Sequence, residues 1–213
     1  MASLPLHLAT ARPEIQPGGS QWALAAIAGR LVEVTGAEDT AALTMVVQLL
    51  LDAQQQGEQT AWVACTGSLP FPPDLLENGL DLEALIVVRV PDLLAGARAA
   101  DSLIRSGAFG LVVVDVDGTP RIPTPVLARL ASLAQRHHTA LIFLTQYRAV
   151  SRSASAGTGG TSPLGSLISL RVRARRQRLA ADRFRCWLEV LKDKRRGPTW
   201  GVDEVCRGAP GMR

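Results

Sequence analysis

At 213 residues, 47% hydrophobic and 20% charged, the chain has the length and composition of one globular unit, which excludes wholesale disorder. No apolar run approaches the ~18 residues of a membrane span, and MASLPLHLATARPEIQ at the start has no basic n-region leading into a long apolar stretch. A soluble, cytoplasmic protein without a membrane partner is expected. The charge is divided unevenly: residues 1–147 carry 8 Lys/Arg against 14 Asp/Glu, and residues 148–213 carry 15 against 5. A balance of −6 followed by +10 points to an anionic partner for the C-terminal part, nucleic acid or an acidic protein.

In chain order, residues 1–20, with Pro5, Pro13, Pro17, Gly18 and Gly19, read as an irregular arm. LVEVT (31–35) reads as a short strand ended by Gly36. Residues 40–56 place apolar side chains at helical spacing and close at Gly57. TAWVAC (60–65) is a second strand, followed by a Pro-rich loop, SLPFPPD. ALIVVRV (84–90) is a third strand and residues 92–106 a helix. LVVVDV (111–116) is apolar enough to be covered on both faces, as in a parallel sheet. Residues 124–136 then read as a helix and TALIFLTQ (139–146) as a fifth strand. This alternation predicts an α/β fold with a mostly parallel twisted sheet flanked by helices and right-handed crossovers.

The C-terminal part has a different character. Residues 151–166 (SRSASAGTGGTSPLGS) are small, polar and Gly-rich, which predicts a mobile loop. Beyond it the pattern is that of an antiparallel strand pair turning near Ala180–Asp182. Leu170, Val172 and Ala174 face one way, and Arg171, Arg173 and Arg175 the other, with Arg176 and Arg178 near the turn. These five arginines are the candidate DNA-binding residues. The organisation expected is an arm (1–20), one core domain (21–200) and a tail (201–213).

The strand, glycine turn and helix at 31–56 occupy the place of a phosphate-binding loop, GxxxxGK[ST], but the signature is degenerate. Gly36 stands, yet Ala41 replaces the second glycine, Ala42 the lysine and Leu43 the Mg²⁺-binding hydroxyl. Glu38 and Asp39 add negative charge where a triphosphate would lie. No nucleotide cofactor, no metal and no catalysis are therefore expected. Cys65, Cys186 and Cys206 are odd in number and outside any CxxC spacing, which argues against a disulfide framework or a zinc ribbon. His137 and His138 suit a helix C-terminus, and the four tryptophans suit packing.

These segments, in this order, resemble the RecA recombinases. GRLVEVTGAEDTAALTMVVQLLLDAQQQGEQTAWV (29–63) is similar to the RecA strand, phosphate-binding loop and helix, retaining Gly36, Glu38, Thr44 and Gln48. LIRSGAFGLVVVDV (103–116) resembles the segment ending in a metal-coordinating aspartate, matched by Asp115. LIFLTQYR (141–148) resembles the strand ending in a glutamine that senses the γ-phosphate, matched by Gln146. TGGTSPLGSLISLRVRARR (158–176) is similar to a mobile DNA-binding loop and its following strand. LEVLKDKRRGP (188–198) matches a segment whose two lysines reach a neighbouring subunit's ATP; Lys192 and Lys194 stand there and are the candidate partner-binding residues. The expected catalytic glutamate falls near Thr66.

A small RecA-like chain without its phosphate-binding loop is similar to the ImuA family, also described as SulA-like. That resemblance implies a non-catalytic accessory role in the SOS response and translesion synthesis. The implied partners are RecA, components of an error-prone polymerase and single-stranded DNA, in the cytoplasm near the nucleoid. The competing expectation is a SulA-like inhibitor of a cell-division protein, with no DNA role.

Overall fold

The computed structural model describes residues 21–36, 40–65, 70–117, 120–146 and 162–207. Eight strands form one sheet: β1 (Leu31–Gly36), β2 (Gln59–Ala64), β3 (Leu85–Arg89), β4 (Phe109–Asp117), β5 (Ala140–Gln146), β6 (Leu170–Arg178), β7 (Arg183–Asp193) and β8 (Gly201–Arg207). Their order is β3-β2-β4-β5-β1-β6-β7-β8. Pairing is parallel from β3 through β6 and antiparallel from β6 to β8. The α/β fold read from the alternation of elements is therefore the fold observed.

Helices cover both faces of the parallel part. On one face α1 (Leu24–Ile27), α2 (Ala42–Gln55) and α3 (Pro72–Glu77) pack against Val32, Val34, Trp62, Leu111, Val113, Ile142 and Leu144. On the other, α4 (Leu93–Arg105) and α5 (Thr124–His137) pack against Leu31, Val63, Val112, Val114, Leu141 and Phe143. Strands buried on both sides have no need of a polar alternate, which is why LVVV and LIFL read as continuous apolar runs. α4 is capped by Asp92, whose Oδ1 accepts from the Ala95 N–H at 2.7 Å. It approaches β2 closely at Gly96, where a Cβ would meet Cys65 Sγ at 2.5 Å.

Three expectations need correction. Residues 201–207 are not tail but strand β8, hydrogen-bonded to β7; the core extends past residue 200, and the antiparallel pair is a three-stranded unit. The Pro-rich stretch after β2 is not wholly a loop, because Pro72 begins α3, where a missing N–H costs nothing and φ is already helical. The Gly-rich segment is anchored at its end: Ser162 and Leu164 are buried, although the sequence offered it almost nothing to bury. Its earlier part, 151–161, lies outside the described residues, as do the arm (1–20) and residues 208–213.

Candidate functional site

The carboxyl ends of the parallel strands bring Gly36, Ala64, Asp115 and Gln146 to one edge, since Gly36 pairs with Gln146 and Ala64 with Asp115. This is where α/β sheets of this kind hold ligands. Glu38, Asp39 and Thr66 lie outside the described residues. At the start of α2 the chain makes a closed turn. Thr40 Oγ1 accepts from the Ala42 N–H at 3.0 Å and donates to the Ala174 carbonyl at 3.1 Å. The Thr40 side chain lies directly against Gly36, filling the space a Cβ there would need.

The residues of this turn do not fit a nucleoside triphosphate. A phosphate cradle needs free backbone N–H groups at the helix start and a lysine and hydroxyl to meet phosphate and metal. Here the Ala42 N–H is already bonded, Ala41 and Ala42 are fully buried, and Leu43 packs on the apolar core. Asp115 is half-buried. Next to it the Cys65 thiol is pushed up to about 11, by burial first and then by the charges of Asp115 and Asp92, so it stays protonated at neutral pH.

The arginines of β6 divide between two faces. Leu170, Val172 and Ala174 are buried in the α2 core, leaving Arg171, Arg173 and Arg175 on the other side. Arg176 returns to the α2 side, its guanidinium 4.8 Å from the centre of the Phe184 ring. Arg178 donates to the carbonyls of Ala180 and Ala181 at 3.1 and 3.2 Å, bracing the β6–β7 turn. Carboxylates from distant segments meet the ladder. Glu33, wholly buried in β1, pairs with Arg171 at 3.2 Å and accepts from Ser162. Glu189 of β7 reaches Arg175 at 2.9 Å and Arg173 at 3.7 Å. The ladder exists, but much of its charge is answered within the sheet. Sequence adjacency could not reveal Glu33 and Glu189, which are brought in by register.

Lys192 and Lys194 sit at the opposite edge. Asp193 pairs with Leu170 and Leu170 with Val32, so both lysines lie level with the start of β1, away from Gly36. Lys192 Nζ donates to the Ser166 carbonyl at 3.0 Å. Its pKa is lowered by burial and by Lys194, against the opposing charge of Glu33. Lys194 is exposed. Between them Asp193 turns inward and binds the buried Arg30 at 2.6 Å. It also accepts from Trp200 Nε1 at 2.9 Å and from the Arg195 N–H at 2.8 Å. The strand period gave warning of this node, because a residue flanked by two outward lysines must face in.

His137 ends α5, and His138 takes the left-handed conformation after it, at φ 54°. Among the described residues no group of His, Cys, Asp or Glu could hold a metal ion, and no helix is long and apolar enough to cross a membrane.

The topology and the strand–turn–helix at its carboxyl edge define an α/β core of the phosphate-binding-loop type, with the Thr40 side chain seated against Gly36. Residues 23–122 match the RecA N-terminal domain. Protein RecA of Gluconacetobacter polyoxogenes is 30% identical over 173 residues, 70% of this chain and 49% of the relative. Protein RecA of a Nocardioides species is 28% identical over 188 residues, 78% of this chain and 50% of the relative. The chain thus spans at most about half the length of these relatives. Among solved structures the RadB recombinase superposes with a TM-score of 0.62 at 20% identity, covering 83% of this chain and 87% of that one. The chain is a member of the RecA-like recombinase superfamily.

Proposed function

We propose that this chain is a non-catalytic RecA-like accessory protein of DNA-damage tolerance, acting in SOS translesion synthesis by associating with RecA and error-prone polymerase components. The contrast between its two edges carries this reading. At one, Thr40, Ala41, Ala42 and Leu43 lack the glycine, lysine and hydroxyl of a phosphate cradle; at the other, Lys192 and Lys194 stand where the resemblance implies the lysines that reach a neighbour's nucleotide. A subunit built so can dock on the ATP face of a RecA protomer and offer no competent face to the next. It caps or restrains a filament.

The test is RecA association in the presence of ATP, ADP or no nucleotide, for the wild type and for Lys192→Ala/Lys194→Ala. Tighter association with ATP-loaded RecA is expected, with that preference lost in the double variant, while the chain alone gives no heat with Mg-ATP. Association indifferent to nucleotide would end the capping account.

Weak, sequence-independent binding of single-stranded DNA accompanies this role. With Arg171 committed to the buried Glu33 and Arg176 turned to the α2 side over Phe184, about three phosphates are neutralised, which gives a log–log salt slope of about −2. Glu189→Gln releases Arg173 and Arg175 and is expected to tighten binding at low salt. Arg173→Ala/Arg175→Ala is expected to flatten the slope. If neither substitution moves it, the ladder does not contact DNA.

A further inference from the structure

The fold sorts the three cysteines into one alone and two together. Cys65 lies on the α4 side of the sheet, against Gly96. Cys186 of β7 and Cys206 of β8 share the opposite, α2 side, where Cys186 is part of the core and Cys206 packs against it. All three are free thiols. Register brings the pair together. Cys186 stands opposite Glu204, and Cys206 opposite Phe184. The two cysteines are therefore diagonal neighbours on one face of an antiparallel strand pair, within reach of each other's side chains. The Cys206 thiol donates a hydrogen bond to Cys186 Sγ.

Three features distinguish this pair from two core cysteines that merely touch. First, β6 places Arg176 opposite Cys186, so Arg176, Cys186 and Glu204 form one row across the three antiparallel strands. The hydrogen bond from Cys206 and the charge of Arg176 hold the Cys186 pKa below its ordinary value, against burial and the charge of Glu204. The same bond holds Cys206 up. The pair gives up its first proton readily and keeps the second between the two sulfurs, whereas Cys65 stays a thiol. Secondly, Cys186 is 1% exposed, but Cys206 is only half-buried, so a small reagent reaches one sulfur of the pair from solvent. Thirdly, β8 is the outermost strand at this end, bonded to β7 alone, and Cys206 is the residue before its last. Diagonal neighbours have Cα atoms about 7–8 Å apart, and a disulfide needs them within about 7 Å. The end of an edge strand can make up that difference.

We propose that Cys186 and Cys206 are a site of reversible oxidation, at which hydrogen peroxide converts the thiol pair into a disulfide joining β7 to β8. The shared proton moves along the S–H···S bond to Cys186 and leaves the thiolate on the half-buried Cys206. That sulfur attacks a peroxide oxygen and the O–O bond breaks. Cys206 becomes a sulfenic acid, and the departing hydroxide takes up the proton the pair had released. The Cys186 sulfur, already in place, then attacks the Cys206 sulfur. The S–O bond breaks, and the hydroxide leaves as water with the Cys186 proton. Two thiols are oxidised to one disulfide, and one peroxide is reduced to two waters. A bridge closed by drawing a diagonal pair together is strained and so easily reduced again. While it lasts it fastens the edge strand β8, whose side-chain tie to α2 is the bond from Gln48 to Glu204. The proposal is independent of RecA association and of DNA binding.

In the test, the reduced full chain is treated with a small excess of hydrogen peroxide at pH 7, unfolded in N-ethylmaleimide to block remaining thiols, and digested with trypsin. Trypsin releases residues 186–192 and 197–207, each with one cysteine. Mass spectrometry is expected to find these two peptides joined, lighter than their sum by two hydrogens, and parted again by dithiothreitol. Cys65 is expected to carry the maleimide, and a non-reducing gel to show a monomer. In Cys186→Ala the reaction is expected to stop at a Cys206 sulfenic acid, trapped by dimedone and formed about tenfold more slowly than the wild-type bridge. In Cys206→Ala, Cys186 is expected to stay reduced over the same exposure. The wild-type peptide map decides the bridge itself even where a variant is less stable. Recovery of Cys206 as a sulfinic acid with no joined peptide would overturn the proposal. So would a bridge to Cys65, a bridge formed only between two molecules, or oxidation of Cys186 in Cys206→Ala at the wild-type rate.

Discussion

Asp193→Ala is expected to lower the free energy of unfolding by about 3–5 kcal/mol, because it strands the Arg30 guanidinium without its counter-ion. The side chains of Arg30 and Asp193 are 3% and 0% exposed, so water cannot take the place of the lost carboxylate. Arg30 keeps bonds to the Ser169 hydroxyl and carbonyl at 3.0 and 2.9 Å, but neither carries charge. Replacing both partners with apolar residues, as in Arg30→Met/Asp193→Leu, removes the stranded charge and is expected to recover most of the loss. Urea unfolding at pH 7 of the wild type, the single variant and the double variant measures this. A single-variant loss below about 1 kcal/mol would contradict the stated role of the pair.

The same node sets a pH dependence. Burial works to raise the Asp193 pKa, but the bonds from the Arg195 N–H, Arg30 and Trp200, with the charge of Arg30, outweigh it and hold the carboxyl below the usual range. A carboxylate whose folded pKa is depressed stabilises the fold above its unfolded value of about 3.9. That contribution is lost as pH falls from there through the lower folded value. The wild type is therefore expected to lose stability more steeply below about pH 4 than Arg30→Met/Asp193→Leu.

The second large effect belongs to Gly36. Its φ is not in the left-handed region, so the requirement for glycine here is one of space. A Cβ would overlap both Oγ1 and Cβ of Thr40, and rotation about χ1 cannot move a Cβ. Gly36→Ala must therefore displace Thr40, breaking its bonds to the Ala42 N–H and the Ala174 carbonyl. The expected cost is about 2–4 kcal/mol, from overpacking and a lost cap together. In a Thr40→Gly background the three nearest atoms are gone and the same substitution is expected to cost much less. The double-mutant cycle then gives a coupling of more than about 1 kcal/mol. Additive effects would show that the glycine is kept for another reason.

The parallel core was legible because burial on both faces leaves a simple trace. Runs such as LVVV at 111–114 and LIFL at 141–144 have no polar alternate, and they sit among helices with one apolar stripe. β8 left no such trace. Glu204 faces the α2 side, where it accepts from Gln48 at 2.7 Å, and Val205 lies out in solvent, the reverse of the usual apolar-in pattern. What holds β8 is pairing with β7, and pairing is not written in a single strand. The candidate site divides the same way. Loss of the phosphate signature at Ala41, Ala42 and Leu43 is visible in the letters alone. The plug made by Thr40 is not, since it depends on a side chain touching a residue four positions earlier. The arginines were read correctly as alternating, but the ions that meet them come from β1 and β7. Only the register joins those strands to β6.

The position of β1 has a consequence for how the chain comes together. It is among the earliest elements in sequence, yet its neighbours on either side, β5 and β6, both lie more than a hundred residues downstream. Each closes a long loop before any pairing energy returns, the condition under which folding slows. During synthesis β1 waits with two open edges until β5 and then β6 emerge, and a chain cut short before residue 170 keeps one of them open. Sticky intermediates of this kind are what chaperones hold, and the order of strands in the finished sheet makes this protein dependent on its last third to shield its first.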